Sequence, residues 1–347
     1  MSGAGQREAL ASGGVYAWYV VAVLMLVYMV AFVDRQILSL LVEPIKRDFG
    51  ASDTQIGLLA GFAFAIFYTL LGVPIARLAD RTNRKGLICL GIVVWSIMTA
   101  ACGLSKTYWQ LFLMRIGVGV GEATLSPAAY SIIADYFPPQ RLAKAVGVYA
   151  MGLYLGAGVA LLAGSAVVAL VSGKEAFVLP IIGLVYPWQL TFLVVALPGL
   201  AVLALMMTVK EPPRTNVGAT PEEIAEAEKS TSMADLIGFF RGNKRLLTAH
   251  FGGFMCLGTI VSAYLVWVPE LFRRTYGFSV AEGGFIFGMC LVLSGGVAPY
   301  LGGWFSEWLL KRGYQDAEMR AGVFFGFLML PCAVFTPLVD DPRLSVL

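Results

Sequence analysis

Long apolar runs separated by short polar clusters fill most of the chain, and they repeat at the length of a membrane crossing. About 20 mostly apolar residues cross a bilayer as a helix. That length predicts about nine spans, near 16–43, 54–78, 86–105, 107–136, 141–171, 187–209, 246–272, 279–310 and 320–339. Internal glycine and proline do not weaken the assignment, because both are common in membrane helices. Residues 210–245 form the one long polar segment. Within it, Thr220-Pro221-Glu222-Glu223 reads as a helix start, with a capping hydroxyl, proline at the first position and acids in the first turn. A short helix is expected through about Lys229, then a surface helix around Met233–Phe240. The segment separates an N-terminal six-helix unit (1–209) from a second unit (246–347) that holds spans seven to nine.

Composition agrees with spans and adds little on partners. Hydrophobic residues make up 58% of the 347 and charged ones 14%, with a mean hydropathy of +0.77. A soluble domain usually carries about 25% charged residues. Either a very apolar soluble core or a lipid-embedded bundle fits those figures, and span length selects the bundle. The net charge of +3 gives no reason to expect a nucleic-acid partner. Cys89, Cys102, Cys256, Cys290 and Cys332 all lie in apolar stretches, without metal-ligand or disulfide spacing, so they read as packing residues. No metal or cofactor is expected. The first apolar run, Val15–Val33, is too long for a cleavable leader and reads as span one. With the N-terminus in the cytoplasm, fifteen lysines and arginines fall on the inner side and seven on the outer, which predicts that orientation.

A shift of 227 residues aligns span two with span eight without gaps. Gly50, Ser52, Gly57, Gly61 and Gly86 fall on Gly277, Ser279, Gly284, Gly288 and Gly313. Asp80 falls on Glu307, Arg84 on Lys311 and Lys85 on Arg312, which places an acid and a basic pair at the same helix end in both copies. Parallel repeats of this kind build many secondary transporters. Six spans are then expected in each half. Only three are seen in the second, so roughly 80–100 further residues are expected, at about 20 per span plus loops.

Charged residues inside the apolar runs are the candidate chemistry. Asp34 and Arg35 follow nearly five apolar turns of span one. Neighbours on a helix diverge by about 100°, so one should face a cavity and the other brace a neighbouring helix. In span four Arg115 and Glu122 are two turns apart and face the same way, beside Gly117, Gly119 and Gly121, which allow close helix approach. Charges at this depth usually face the bundle interior or a wet cavity. The four form either a static pairing network or an anion-binding, proton-responsive cluster. After span two comes Asp80-Arg81-Thr82-Asn83-Arg84-Lys85, where a carboxylate and the following cations could latch to a neighbouring helix end and release it. A plain positive-inside loop is the alternative. In span five Gly147, Gly152, Gly156, Gly158 and Gly164 suit either a rocking interface or ordinary close packing. Tyr264 and Trp267, with Pro269, read as an interfacial aromatic belt, cavity lining being the alternative, and His250, the sole histidine, as an interfacial residue with a pH role the alternative. No nucleophile, base and orienter fall together, so an enzyme is not expected.

These motifs resemble those of the major facilitator superfamily. The turn from Ala76 to Lys85 resembles its signature between the second and third helices, departing where Ala76 and Asn83 replace glycines, and Arg115-x-x-x-Gly119 resembles its fourth-helix signature. Phe32–Leu38, Ser52–Leu59 and Gly119-Val120-Gly121-Glu122-Ala123 with Ser126-Pro127-Ala128 are similar to the Spinster branch. The resemblance implies an all-α membrane protein of two pseudo-symmetric six-helix bundles, the second incomplete here. It implies a secondary transporter that alternates its access, expected as a monomer, and the short termini and compact loops point to a bacterial inner membrane. Animal Spinster proteins export sphingosine 1-phosphate or lysophospholipids, which implies an amphipathic, anionic substrate, with protons as a possible coupling ion. A carrier of a sugar, drug or organic anion is the alternative. By the same resemblance Asp34, Arg35, Arg115 and Glu122 belong to the central polar site, and Asp80, Arg81 and Arg84 to the cytoplasmic gate.

Overall fold

The structure, a computed structural model, describes residues 14–171, 177–179, 183–214, 233–339 and 341. The helix start expected at Thr220–Glu223 lies outside these residues. Helix α1 (Val15–Leu40) leads through Leu41 into the short α2 (Val42–Phe49). Next come α3 (Asp53–Gly57), a π-helical turn (Leu58–Phe62) and α4 (Ala63–Arg81), which together make one apolar rod. Helices α5 (Arg84–Cys102), α6 (Tyr108–Glu122), α7 (Leu125–Tyr136) and α8 (Pro139–Val171) follow. A small antiparallel ribbon, β1 (Phe177–Leu179) with β2 (Gly183–Val185), precedes α9 (Pro187–Thr208). Beyond it lie α10 (Met233–Gly242), α11 (Lys244–Tyr276), α12 (Val280–Lys311) and α13 (Ala317–Phe335).

Among the described residues, eight helices are long and apolar enough to cross a membrane. The predicted span 107–136 is instead two helices, α6 and α7, meeting at Ala123–Thr124. Pro127 cannot donate a backbone hydrogen bond to the carbonyl four residues earlier, which favours a break there. Thr124 completes it, because its own N–H and its hydroxyl both turn back to the Gly121 carbonyl, at 3.3 and 2.9 Å.

The repeat seen in the sequence has a structural counterpart. Gly50 and Gly277 end their helices with φ of 60° and 71°, a left-handed conformation that glycine adopts without strain. Two residues later Ser52 and Ser279 each open the next helix with a capping box, to Gln55 and Glu282 respectively. The far ends differ. Asn83 caps α5 by accepting from the Gly86 N–H at 2.6 Å, so the first-half helix stops at Arg81. In the second half a Glu307–Lys311 pair at 2.8 Å lies within the last turn of α12, which runs on to Lys311.

The dry core sits among α1, α5, α6, α7 and α9, where Leu24, Trp95, Leu111, Ile132 and Phe192 are fully buried. Helix α8 packs along α1 on one side and α12 on the other. A Cβ on Gly152 or Gly156 would strike the backbone of α1, whereas one on Gly147 or Gly158 would strike α12. At Gly158 it would come within 2.7 Å of Val292 Cγ2 and 2.8 Å of the Gly288 carbonyl. Overpacking of this kind costs about 1–3 kcal/mol. Gly158→Val should therefore lower the melting temperature of the solubilised protein by several degrees, whereas Gly252→Val, at a glycine with open space around it, should leave it nearly unchanged.

Candidate functional site

The two adjacent charges of α1 point to different neighbours. Asp34 is buried, and its Oδ2 accepts a hydrogen bond from Thr99 Oγ1 of α5 at 3.2 Å. Arg35 turns towards α6, where Nη2 donates to Glu122 Oε2 at 2.6 Å. The Glu122 side chain is 1% exposed and that of Arg35 28%, so the pair is buried at the acid and open at the base. Arg35 is the residue that meets the open space, and Asp34 the one that braces a neighbour.

Arg115 has a different task. Its guanidinium donates to the main-chain carbonyls of Asp34, at 3.1 Å, and Arg35, at 3.3 Å. It thereby fixes α6 to α1 at the level of the two charges. Arg115 and Glu122 lie two turns apart and both reach α1, as their spacing requires. Gly119, between them, lets α6 approach α4: a Cβ there would lie 2.8 Å from the Phe64 carbonyl.

Aromatic rings enclose the Arg35 guanidinium. Its central carbon lies 4.1 Å from the Phe64 ring centre, 4.6 Å from Phe32 and 5.2 Å from Tyr68. Cation–π contacts of this kind are worth roughly 0.5–2 kcal/mol each and leave the guanidinium N–H groups free to bind an anion. The aromatic wall continues along α1 through Tyr28, which stacks on Tyr149 at 4.8 Å, and then to Tyr130 at 5.4 Å from Tyr149. Tyr68 OH lies 3.4 Å from Ser126 Oγ. Hydrogen-bonding capacity remains unused at Asp34 Oδ1, Arg35 Nε, Arg115 Nε and Glu122 Oε1. Among the described residues no cluster of three or more His, Cys, Asp or Glu side chains could hold a metal ion.

The second group of expected residues is not brought together. Asp80 and Arg81 are exposed at the end of α4, with no ion-pair partner among the described residues. Arg84 is buried instead and ties three elements of the first half. It pairs with Asp135 at the end of α7 and with Glu211 after α9 at 2.7 Å, and donates to Ser131 Oγ at 2.9 Å and the Pro212 carbonyl at 2.9 Å. Lys85 and Arg214 add to this clasp, Lys85 Nζ reaching the Met207 carbonyl and Arg214 the carbonyls of Ala79 and Thr82.

Thr99, the aromatic box, Asp135 and Glu211 had not been singled out from the sequence. A signal existed for some. Tyr28, Phe32 and Arg35 fall on one helical face, and Asp135 and Glu211 are acids at the polar ends of apolar runs otherwise flanked by cations. Thr99 carried no signal, since a threonine inside a span commonly bonds its own backbone.

This arrangement, a bundle of long apolar helices with charges buried between α1 and α6, matches a known family. Residues 24–347 fit the model of the Major Facilitator Superfamily. The chain belongs to that superfamily. An MFS-type efflux pump of Mycolicibacterium smegmatis is 30% identical over 95% of this chain and 72% of its own length. The crystal structure of a bacterial homologue of the human lysosomal transporter Spinster, inward-facing and unoccupied, is 30% identical with a TM-score of 0.68. That match covers 96% of this chain and 71% of the other, and it agrees with the Spinster resemblance read from the motifs. A hexuronate transporter of Bacillus subtilis is 28% identical over 88% of this chain and 67% of its own length. The facilitator fold implied by the motif resemblance is thus established, for an integral membrane protein with transporters among its relatives.

Proposed function

We propose that this facilitator moves an anionic amphipathic molecule, a lysophospholipid or sphingoid phosphate, by alternating access, and that Arg35 receives the headgroup. The observation that carries the reading is the Arg35–Glu122 pair: a guanidinium open on one side, boxed by Phe32, Phe64 and Tyr68, and held by a fully buried acid. A guanidinium matches phosphate bidentately, and aromatic faces suit the adjoining apolar chain. Glu122 competes with the substrate for the same Arg35 N–H groups. Protonation of Glu122 would weaken its hold and free Arg35 for substrate, which links proton and substrate movement. Asp34 ties α1 to α5 through Thr99, and Arg115 ties α6 to α1, so that the pair is presented in one geometry.

In this reading the first six-helix unit (1–209) and the unit from 246 onward rock about the α8–α12 contact, with the polar segment 210–245 between them in the cytoplasm. Asp80 and Arg81, exposed beside the Arg84 clasp, are free to engage the opposite unit as a gate on the same side. The protein acts as a monomer in a bacterial inner membrane, with its N-terminus in the cytoplasm.

A second reading has its own observation. Tyr28, Tyr68 and Tyr130 lie along the aromatic wall, and the Tyr68 hydroxyl lies 3.4 Å from Ser126 Oγ; tyrosine hydroxyls suit a sugar acid, in keeping with the similarity to the hexuronate transporter. Uptake into proteoliposomes separates the two. Labelled lysophosphatidate should accumulate, faster under an imposed pH gradient, and a labelled hexuronate should not; the reverse result would establish the sugar-acid reading. Glu122→Gln should tighten lysophosphatidate binding by about tenfold, as expected when a charged hydrogen-bond competitor is removed. It should also abolish the response to the gradient. Full gradient-dependent uptake in that variant would remove Glu122 from coupling.

A further inference from the structure

The hydroxyl of Tyr149, on α8, has no hydrogen-bond partner although the residue is fully buried. Its ring is held from two sides. It stacks on Tyr28 of α1 at 4.8 Å and 10°, and meets Tyr130 of α7 nearly edge-on at 5.4 Å. Gly152, one turn along α8, allows this close approach, since a Cβ there would lie 2.5 Å from the Met25 carbonyl of α1. Both rings belong to the unit 1–209, so this packing does not depend on the second unit. A buried hydroxyl without a partner is a standing cost to the fold.

Ser126, in the first turn of α7, is the hydroxyl that Tyr149 faces without bonding it. The Ser126 hydroxyl instead meets that of Tyr68, on α4, at 3.4 Å. That is long for two hydroxyls, which approach to about 2.7–2.8 Å when well bonded. Three hydroxyls from three helices thus gather with one long contact among them. Tyr68 also ties the group to the central site, because its ring lies 5.2 Å from the Arg35 guanidinium carbon. The Tyr68–Ser126 pair therefore borders the space into which the guanidinium opens.

We infer that Ser126 reads a hydroxyl that the substrate carries next to its phosphate, with Tyr149 as the positioning residue behind it. On binding, Ser126 gives up Tyr68, donates to the ligand hydroxyl and accepts the hydrogen bond of Tyr149. The Tyr149 hydroxyl is then paired only in the bound state. The inference rests on the reading of Arg35 as the headgroup site. It narrows the substrate to phosphates with a free neighbouring hydroxyl, as in lysophosphatidate.

Equilibrium binding to the solubilised full chain tests this with two labelled ligands. One is lysophosphatidate; the other is its deoxy analogue, with the same acyl chain and phosphate but hydrogen in place of the free glycerol hydroxyl. The wild type should prefer lysophosphatidate about tenfold, the worth of one well-made hydrogen bond. Ser126→Ala should bind both at the level of the analogue. Tyr149→Phe keeps the ring stack, so it should lose most of the preference and leave the affinity for the analogue unchanged. Nor should it lower the melting temperature of the free protein, since its hydroxyl has no bond to lose. A full preference in Ser126→Ala would mean that the hydroxyl is read elsewhere. Equal weakening of both ligands by Tyr149→Phe would reduce Tyr149 to packing. No preference in the wild type, with binding still lost in Arg35→Ala, would overturn this inference alone. Binding of neither ligand, or affinities unchanged in Arg35→Ala, would overturn the Arg35 reading and this inference with it.

Discussion

Replacing Arg35 by alanine should lower affinity for lysophosphatidate by roughly a hundredfold, the order expected when one partner of a hydrogen-bonded charge pair is truncated. The headgroup loses a bidentate donor, whereas Glu122, 1% exposed and 2.6 Å from the missing guanidinium, loses its partner in free and bound protein alike, a cost to stability rather than to affinity. Equilibrium binding of a labelled lysophosphatidate to solubilised protein measures the effect, with a thermal melt to show that the variant is folded. Arg35→Lys separates charge from geometry. It keeps one positive charge but gives up the planar fork and its stacking between Phe32 and Phe64, so about a tenfold loss is expected. Equal binding by wild type and Arg35→Ala would exclude Arg35 from the headgroup site.

The largest stability effect is expected at Arg84. Arg84→Met removes the buried cation with which Asp135, near the end of α7, and Glu211, beyond α9, both pair. Removing one member of a buried ionic network costs about 3–5 kcal/mol. Because Glu211 is 25% exposed and can recover some solvation, about 3 kcal/mol is the better expectation. In a chain of this size that lowers the melting temperature by roughly 5–10 °C. The triple variant Arg84→Met, Asp135→Asn, Glu211→Gln removes the two acids' charges together with the cation and should recover most of the loss. A triple variant as unstable as the single one would show that Arg84 acts through packing and its bonds to Ser131 and Pro212 rather than through charge.

Much of the fold was legible because its signals are local. A span needs only a run of apolar residues, and the repeat could be read from Gly50 and Ser52 against Gly277 and Ser279, since a left-handed helix end and a capping box are written in the residues that make them. The break in span four was harder. Pro127 marked it, but proline is tolerated inside membrane helices, and only the contact of Thr124 with Gly121 turns the mark into an end.

Four charges inside the apolar runs, Asp34, Arg115 and Glu122 buried and Arg35 part-buried, were also legible, because ionisable residues are so rare there. Their pairing was not. Spacing put Arg115 and Glu122 on one face, yet only three-dimensional packing shows that Arg115 binds carbonyls of α1 while Glu122 takes Arg35. The same limit applies to Arg84. Its sequence neighbours Asp80 and Arg81 suggested one shared latch, whereas its partners Asp135 and Glu211 lie 51 and 127 residues away.

A double-mutant cycle on Arg35 and Glu122, read by lysophosphatidate binding, tests the central claim most directly. If the headgroup and Glu122 compete for the same guanidinium, Glu122→Gln tightens binding about tenfold when Arg35 is present and has almost no effect in the Arg35→Ala background. A Glu122→Gln effect of equal size in both backgrounds would mean that the two residues act independently, and the headgroup would then have to be held elsewhere.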